Sequence, residues 1–200
     1  MTRSRSTPRV RLIAALLALA IGVVAVSERN ALRGLAGDLA QLAGLACIVI
    51  ATGWRVWASV FIAGVKDATL VSTGPYSACR HPLYAGSLLA IFGSGLATRS
   101  VTLTVLLLAV SAVLHARAVS AEDKLLSQTH GAAFDRFRRE VPALWPNFRR
   151  YAVPESLTIQ PQILRKAFFD AGSILGAYLL IRVADLLQTA GVTPTLLQLP

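Results

Sequence analysis

Charged residues are scarce in this 200-residue sequence, at 15% of the total, whereas soluble globular domains carry about 25%. Cysteine is also scarce. Cys47 and Cys79 lie far apart in the chain, so the sequence contains neither a disulfide framework nor a Cys-x-x-Cys metal site. The three histidines have no metal-ligand spacing, and we therefore expect no metal site.

Apolar residues are abundant instead. Hydrophobic residues make up 54% of the sequence and the mean hydropathy is +0.59, which excludes a disordered, collagen-like or coiled-coil chain. Because these residues come in blocks approaching the length of about 20 that crosses a bilayer, the sequence predicts an all-α, polytopic integral membrane protein. We treat residues 1–200 as a single membrane domain.

We predict five membrane-spanning helices, at about residues 12–26, 39–61, 83–97, 101–116 and 167–187. The first could instead be a signal peptide, since Ala25-Val26-Ser27 is an acceptable cleavage site. The third and fourth are short, at about 23–25 Å, which predicts a tight hairpin that thins the bilayer or does not fully cross it.

A polar region separates this hairpin from the last span. Residues 120–140 are predicted to form a cytoplasmic amphipathic helix, with Leu126, Phe134 and Phe137 as its apolar anchors. Residues 141–166 are predicted to form a non-helical connector, because this part of the chain contains four prolines. These are Pro142, Pro146, Pro154 and Pro161.

The net charge of +10 reflects 20 lysines and arginines against 10 acidic residues. A basic soluble protein would suggest nucleic acid as a partner, but these residues flank apolar blocks, which is typical of a topology signal. A cytoplasmic N-terminus places the basic segments 1–11, 65–82 and 117–166 on the cytoplasmic side. We therefore predict this orientation, a bacterial inner-membrane location and no nucleic-acid partner.

Residues 73–86 contain the densest group of chemically capable side chains. Pro82 can occupy the first turn of a helix, where its missing N–H costs nothing. The loop would then place Arg80 and His81 at a helix N-terminus, whose free amides suit a carboxylate or a phosphate. The alternative is a capped helix entry with an arginine that snorkels to the membrane surface.

Other candidate residues lie beside this loop or on other helices. Tyr84 would lie on the first turn of the helix, and Gly86 leaves room for a flat group. The acidic pair Glu122-Asp123 begins the amphipathic helix, where ordinary capping is the alternative explanation. Arg55 lies inside a predicted span, so it either marks a functional site or snorkels to the surface.

Together these patterns resemble the isoprenylcysteine carboxyl methyltransferase family, which belongs to a wider group with the phospholipid N-methyltransferases. The resemblance covers about residues 53–147. The family's loop, GPY…RHPxYxG, is matched by Gly74, Pro75, Tyr76, Arg80, His81, Pro82, Tyr84 and Gly86. Its later signature is matched by Glu122-Asp123, Leu125-Leu126, Phe134, Phe137, Val141-Pro142 and Pro146. Asp123 replaces the usual second glutamate, and the span at 167–187 has no counterpart.

The resemblance implies methyl transfer from S-adenosyl-L-methionine to a membrane-embedded acceptor, such as an isoprenoid-thioether carboxylate or another lipid. It implies that Arg80 and Glu122 are catalytic and that Arg55, Trp57 and Arg80 bind the acceptor. The implied cofactor-binding residues are Gly74, Pro75, Tyr76, His81, Pro82, Tyr84, Gly86, Glu122 and Asp123. A carboxylate acceptor needs no general base, whereas an amine or thiol acceptor would need one, for which Glu122 is the nearest candidate.

Two other functions remain open. A sterol reductase with a similar C-terminal region would be much longer than this chain. A non-catalytic membrane scaffold could bind anionic lipid or a partner through the basic segment 117–166. The motif Gly172-x-x-x-Gly176 favours helix packing within a monomer over dimerisation, so we expect a monomer or a weak homodimer.

Overall fold

The structure is a computed structural model that describes residues 27–29, 32, 34–62, 69–157, 159, 161–192 and 197–199. The predicted span at 12–26 and the basic segment at 1–11 lie outside these residues. Six α-helices are described: α1 (Gly34–Ile62), α2 (Pro75–Ala78), α3 (Pro82–Ala97), α4 (Val101–His130), α5 (Ala132–Glu140) and α6 (Pro161–Thr189). A short 3-10 helix, Phe148–Arg150, lies in the connector. Two short strands, β1 (Ser27–Arg29) and β2 (Leu197–Leu199), pair in parallel.

The helices α1, α3, α4 and α6 form a membrane bundle. Three of them, α1, α4 and α6, are long and apolar enough to cross a membrane, whereas α3 has 16 residues. The predicted helical membrane architecture is therefore confirmed, and β1 and β2 are the only strands among the described residues. The predicted count of five spans is not confirmed. The short α3 agrees with the predicted hairpin, because it rises only about 24 Å before the chain turns into α4.

The polar region after the hairpin differs from the prediction. The helix that contains the fourth predicted span does not end at residue 116, because α4 continues through residue 130 as one helix of 30 residues. No glycine or proline interrupts residues 101–130, so nothing in the backbone ends the helix earlier. Gly131 ends it with a φ of 53°, and α5 then begins at Ala132. The predicted amphipathic helix is therefore two helices, and only Phe134 of its anchors is fully buried.

Polar side chains hold α6 to the bundle at the end where α1 begins. Arg99, in the turn between α3 and α4, donates to Asp38 at 2.6 Å and to Gln41 at 3.0 Å. Gln41 in turn donates to Asp185 of α6, which also forms an ion pair with Arg182 at 2.9 Å. This network fixes the α6 C-terminal half against α1.

The motif at 172–176 does not pack as predicted. A Cβ atom built on Gly172 or Gly176 would meet no heavy atom within 4 Å, so neither glycine lies in close contact with another helix of the described chain. Pro161 also differs from the prediction, because it begins α6 instead of belonging to the connector.

Candidate functional site

The site loop, residues 73–81, begins with a turn that requires glycine. Gly74 has a φ of 58°, and a Cβ atom there would lie 2.3 Å from the Phe61 ring. Pro75 then starts the short helix α2, whose four residues are all buried. Ser77 locks the turn, because its hydroxyl donates to the Gly74 carbonyl at 2.7 Å and accepts from the Ala152 amide at 2.8 Å.

Pro82 occupies the first turn of α3, as the sequence predicts, and His81 is the residue that precedes it. Some of the amides that we expected to be free at this helix N-terminus already have partners. The His81 amide donates to Ala143 and the Tyr84 amide donates to His81, while Pro82 has no N–H to offer. Trp54 of α1 also covers this end, since its indole N–H donates to the Pro82 carbonyl at 2.9 Å.

His81 lies between the two carboxylates of the acidic pair. Its Nε2 is 2.8 Å from Asp123 Oδ1, and its Nδ1 is 3.7 Å from Glu122 Oε2. The His81 and Asp123 side chains are 2% and 9% exposed, whereas the Glu122 side chain is 27% exposed. The loop and the acidic pair therefore form one site, and Glu122 is the carboxylate that retains access to its surroundings.

Arg80 fastens this site to α5. One of its terminal nitrogens donates to the carbonyls of Arg138 and Val141, at 2.7 Å and 3.1 Å, and the other pairs with Asp123 at 3.2 Å. The Arg80 side chain is only 9% exposed. These contacts position Arg80 between the loop and α5, and its buried Nε has no hydrogen-bond partner among the described residues.

Arg55 and Gly86 meet each other, although the sequence analysis treated them separately. A Cβ atom at residue 86 would lie 2.7 Å from Arg55 Cγ, so Arg55 fills the room that we expected for a flat ligand group. Arg55 does not snorkel away from the bundle, because its guanidinium donates to the Leu83 carbonyl at 2.9 Å and to Ser87. Trp57 has a different partner from Arg55, because its indole N–H donates to the Tyr151 hydroxyl of the connector.

Tyr84 connects the loop to the middle of α4 through ring contacts. Its ring centroid is 5.8 Å from that of His81 and 5.5 Å from that of His115, with an edge-on arrangement to His115. The Nδ1 atom of His115 is 2.7 Å from the Ser111 carbonyl. His115 and Glu122 are seven residues apart and therefore share one face of α4.

Tyr76 presents a buried polar atom at the site. Its side chain is 6% exposed, and its hydroxyl has no hydrogen-bond partner among the described residues. Burial, and next the negative charge of Glu122, raise the pKa of the Tyr76 phenol, which therefore stays protonated as a donor. Burial also raises the pKa of the nearby Cys79 thiol to about 12, which makes Cys79 an inert core residue.

The connector covers the loop through backbone pairing. The amides of Arg80 and His81 donate to Pro142 and Ala143, and the Gly74 amide donates to Ala152. A separate polar cleft of about 340 Å³ opens on the far side of Asp123, between α4 and α5. It is lined by Ser120, Asp123, Lys124, Ser127, Gln128 and Arg138.

Several site residues were not identified from the sequence. Two of them lie on α1, where Trp54 contacts Pro82 and Phe61 contacts Gly74. Their positions in the sequence did not predict these contacts. Ser77 lies inside the loop motif at a position that the motif leaves open. His115 could have been found from its place seven residues before Glu122 on one helix.

The chain is similar to a known protein family and to two known proteins. The sequence profile of the phospholipid methyltransferase family matches residues 39–133, which include the site loop and the acidic pair. The nickel-cobalt-cadmium resistance protein NccN of Alcaligenes xylosoxydans xylosoxydans is 32% identical over 157 residues, covering 78% of this chain and 73% of the relative. The cobalt-zinc-cadmium resistance protein CzcN of Cupriavidus metallidurans is 33% identical over 149 residues, covering 74% of this chain and 68% of the relative. No solved structure matches the chain. The chain therefore belongs to the phospholipid methyltransferase family of integral membrane proteins.

Proposed function

We propose that this protein transfers a methyl group from S-adenosyl-L-methionine to an acceptor embedded in the bilayer. The observation that carries the proposal is the contact between the His81 ring and the accessible Glu122 carboxylate. The charge of Glu122 also acts on the Tyr76 phenol, whose hydroxyl has no hydrogen-bond partner among the described residues. A buried polar group without a partner is costly, and a ligand that supplies the partner removes that cost.

The donors and acceptors of this group fit the cofactor. S-adenosyl-L-methionine carries an ammonium group and ribose hydroxyls that a carboxylate can accept from, and a carboxylate that a phenol can donate to. Glu122 and Tyr76 supply these complementary groups, with His81 beside them. We therefore assign cofactor binding to Glu122, Tyr76 and His81, and we assign to Asp123 the positioning of His81 and Arg80.

The bound cofactor supplies an electrophilic methyl group on a positively charged sulfur. Methyl transfer is an in-line displacement, so the protein contributes mainly by holding the two reactants in line and excluding water. The buried turn at Gly74–Ala78 and the connector that pairs with it would exclude water from the polar side. A carboxylate acceptor needs no base, whereas Glu122 could take the proton from an amine or thiol acceptor.

The acceptor and the cellular context follow from the membrane setting. An acceptor within the bilayer is lipid or lipidated, such as an isoprenoid-thioether carboxylate, and the site faces the cytoplasm of a bacterial inner membrane under the positive-inside rule. The relatives are named for resistance to nickel, cobalt, zinc and cadmium. Because the chain belongs to a methyltransferase family, we propose that it methylates a membrane component in such a resistance system.

Isothermal titration of the purified protein with S-adenosylhomocysteine in detergent tests the proposal. We expect saturable binding that Glu122→Gln weakens at least tenfold and that Glu140→Gln, an exposed control outside the site, leaves unchanged. Radiolabelled methyl transfer into a lipid extract of the host then identifies the acceptor. Absence of binding by the wild-type protein would contradict the proposal and favour the membrane scaffold.

A further inference from the structure

The connector between α5 and α6 exposes large apolar side chains in one short segment, residues 145–153. Trp145 is 86% exposed, Phe148 is 64% exposed and Val153 is 76% exposed. Arg149, which lies between them in sequence, is exposed as well. Large apolar side chains that are grouped and bordered by polar residues mark a surface that contacts a protein or a membrane.

Two aromatic contacts fix the depth of this segment relative to the bilayer. The Phe148 ring packs edge-on against Trp54 with the centroids 5.7 Å apart, and the Tyr151 hydroxyl accepts a hydrogen bond from Trp57. Both tryptophans belong to α1, which is long and apolar enough to cross a membrane. The helix continues beyond them through residues 58–62, none of which is charged. Residues 148 and 151 therefore lie beside a part of α1 that is still in contact with lipid.

The side chains of the segment suit this depth. Tryptophan and tyrosine collect at the membrane–water interface, which accommodates both an apolar ring and a polar N–H or O–H. Interfacial segments bury their apolar side about 5–10 Å into the boundary between headgroups and acyl chains. A cytoplasmic protein would have to displace lipid to reach Phe148 beside Trp54, so the geometry favours the bilayer as the occupant.

The charge of the connector selects the kind of lipid. Residues 141–166, which include the first turns of α6, contain four basic residues and one acidic residue, Glu155. Arg150 pairs with Glu140 at 2.9 Å, whereas the exposed Arg149 side chain has no ion-pair partner among the described residues. A basic side chain is attracted to an anionic lipid surface, and a zwitterionic surface offers it no net charge. Arg149 therefore favours anionic phospholipid.

The segment is joined to the candidate site through its backbone. The Asn147 amide donates to the Ala78 carbonyl at 2.9 Å, and the Gly74 amide donates to the Ala152 carbonyl at 2.7 Å. These two bonds lie at either end of the buried helix α2 in the site loop. A lipid that holds the segment at the interface therefore also holds the site loop in place.

We propose that residues 145–153 dock on anionic phospholipid at the membrane interface and thereby stabilise the site loop. Trp145 and Phe148 enter the interface, and Arg149 binds a lipid phosphate. The lipid acts here as a regulator of the site, which is a different role from that of a methyl acceptor. The proposal does not depend on methyl transfer, because its tests need neither cofactor nor acceptor.

Fluorescence quenching locates Trp145 in the membrane. The full chain is reconstituted in nanodiscs of phosphatidylcholine and phosphatidylglycerol that carry bromine either near the headgroup or near the end of the acyl chain. The difference between the wild type and Trp145→Phe isolates the emission of Trp145 from that of Trp54 and Trp57. We expect bromine near the headgroup to quench this emission more strongly than bromine near the chain end. Emission that neither lipid quenches would place Trp145 in water and would overturn the inference.

Hydrogen–deuterium exchange measures the link to the site loop. The amides of Gly74, Arg80 and His81 donate to the connector, so their exchange requires the connector to move away. They should exchange about fivefold more slowly in nanodiscs with phosphatidylglycerol than in phosphatidylcholine alone, the effect expected of one basic residue at an anionic surface. Arg149→Gln should remove most of this difference. Arg139→Gln, which removes an equal charge from the exposed side of α5, should preserve it.

A salt series gives the same information without a substitution. High salt should abolish the slower exchange of the wild-type protein in phosphatidylglycerol, because it screens charges at a solvent-exposed surface. This measurement keeps the test valid if Arg149→Gln lowers the melting temperature.

Other results would overturn the inference in distinguishable ways. Equal exchange in the two lipids would mean that anionic lipid does not hold the loop. Loss of the difference in both arginine variants would indicate a general attraction of the basic region instead of docking by residues 145–153. Protection of this segment in native membranes but in neither nanodisc would identify a protein partner. Protection that rises with protein concentration in both lipids would identify a second copy.

Discussion

At the scale of single residues, Asp123 is the group on which the polar contacts of the site converge. Its carboxylate contacts Arg80 at 3.2 Å and His81 at 2.8 Å, and Arg138 lies 3.9 Å away. Glu122, its neighbour in sequence, contacts only His81 of these residues and remains partly exposed. Adjacent acids therefore have different roles, with Asp123 holding the site together and Glu122 available to a ligand.

This difference predicts that substitution of Asp123 lowers stability, whereas substitution of Glu122 lowers cofactor affinity. Asp123→Ala leaves the buried Arg80 guanidinium without its carboxylate partner and the His81 ring without a hydrogen-bond partner, and should destabilise the protein by about 3–5 kcal/mol. Glu122→Gln should leave stability nearly unchanged while weakening cofactor binding. Denaturant unfolding and calorimetry measure the two effects, with Asp135→Asn as an exposed acidic control. Equal destabilisation by both substitutions would show that the acids share one structural role.

The Asp123 contacts also change what we expect of Arg80. The sequence identified Arg80 and His81 correctly as a pair at a helix N-terminus, because Gly-Pro and His-Pro dipeptides constrain the local backbone. It could not show that the Arg80 guanidinium would bind the carbonyls of Arg138 and Val141. Those contacts depend on where α5 folds back, which is a tertiary property that residue spacing does not encode.

At the scale of elements, two glycines shape the site and the helix that leaves it. Gly74 and Gly131 adopt nearly the same backbone conformation, with φ of 58° and 53° and ψ of −136° and −129°. They differ in surroundings, because a Cβ atom at Gly74 would collide with Phe61 whereas one at Gly131 would meet no heavy atom within 4 Å. A side chain at Gly131 would therefore suffer backbone strain alone, whereas one at Gly74 would suffer both backbone strain and a steric conflict with Phe61.

Alanine substitution at these glycines should give different losses of stability. Gly131→Ala should cost about 1–3 kcal/mol, the usual strain of a residue in a conformation that is essentially restricted to glycine. Gly74→Ala should cost more, and a second substitution, Phe61→Leu, should recover part of the difference. Unfolding free energies in one detergent provide the measurement. A smaller loss at Gly74 than at Gly131 would be inconsistent with the close Phe61 contact.

The end of α5 is held by an ion pair that predicts a pH dependence. Hydrogen bonding from Arg136, and then the charges of Arg136 and Arg150, lower the pKa of Glu140. Arg150 contacts Glu140 at 2.9 Å and so ties the end of α5 to the connector. A lowered carboxyl pKa stabilises the folded state above the ordinary glutamate value of about 4.3 and loses this contribution as the pH falls below it.

Melting temperatures of the wild-type protein and Glu140→Gln test this dependence. The wild type should be slightly more stable at pH 7, because the pair is exposed to solvent and contributes little. The difference should shrink as the pH falls through the glutamate range and vanish once Glu140 is protonated. A difference that stayed constant down to pH 3 would exclude the ionised carboxylate as its source.

The elements themselves were predictable to different extents. Apolar blocks located α1, α3 and α6 well, because lipid requires a long apolar helix and the sequence must supply one. The end of α4 was predicted wrongly, since polar residues 117–130 mark where the helix leaves the bilayer and not where it ends. The Gly-x-x-x-Gly motif was also misleading, because Gly172 opens a cleft instead of packing against a helix.

At the scale of the whole molecule, the two ends of the bundle differ in charge. The site end carries Arg80, Arg117, Lys124, Arg136, Arg138, Arg139, Arg149, Arg150, Arg165 and Lys166. The opposite end uses Arg99 and Arg182 in ion pairs with Asp38 and Asp185. Since lysines and arginines are enriched in the cytoplasmic loops of membrane proteins, this asymmetry predicts that the site faces the cytoplasm.

Cysteine labelling in intact bacterial cells tests this orientation. Gln128→Cys places a thiol on exposed α4 at the site end, and Val101→Cys places one at the opposite end, where Val101 is 53% exposed. With Cys47 replaced by alanine and the buried Cys79 retained, a membrane-impermeant maleimide should label residue 101 and should reach residue 128 only after permeabilisation. Cys79 should stay unlabelled in both cases, because its thiol is fully buried and protonated at neutral pH. The reverse labelling pattern would place the site outside the cytoplasm, away from the compartment in which S-adenosyl-L-methionine is made, and would count against both the orientation and the proposed methyl transfer.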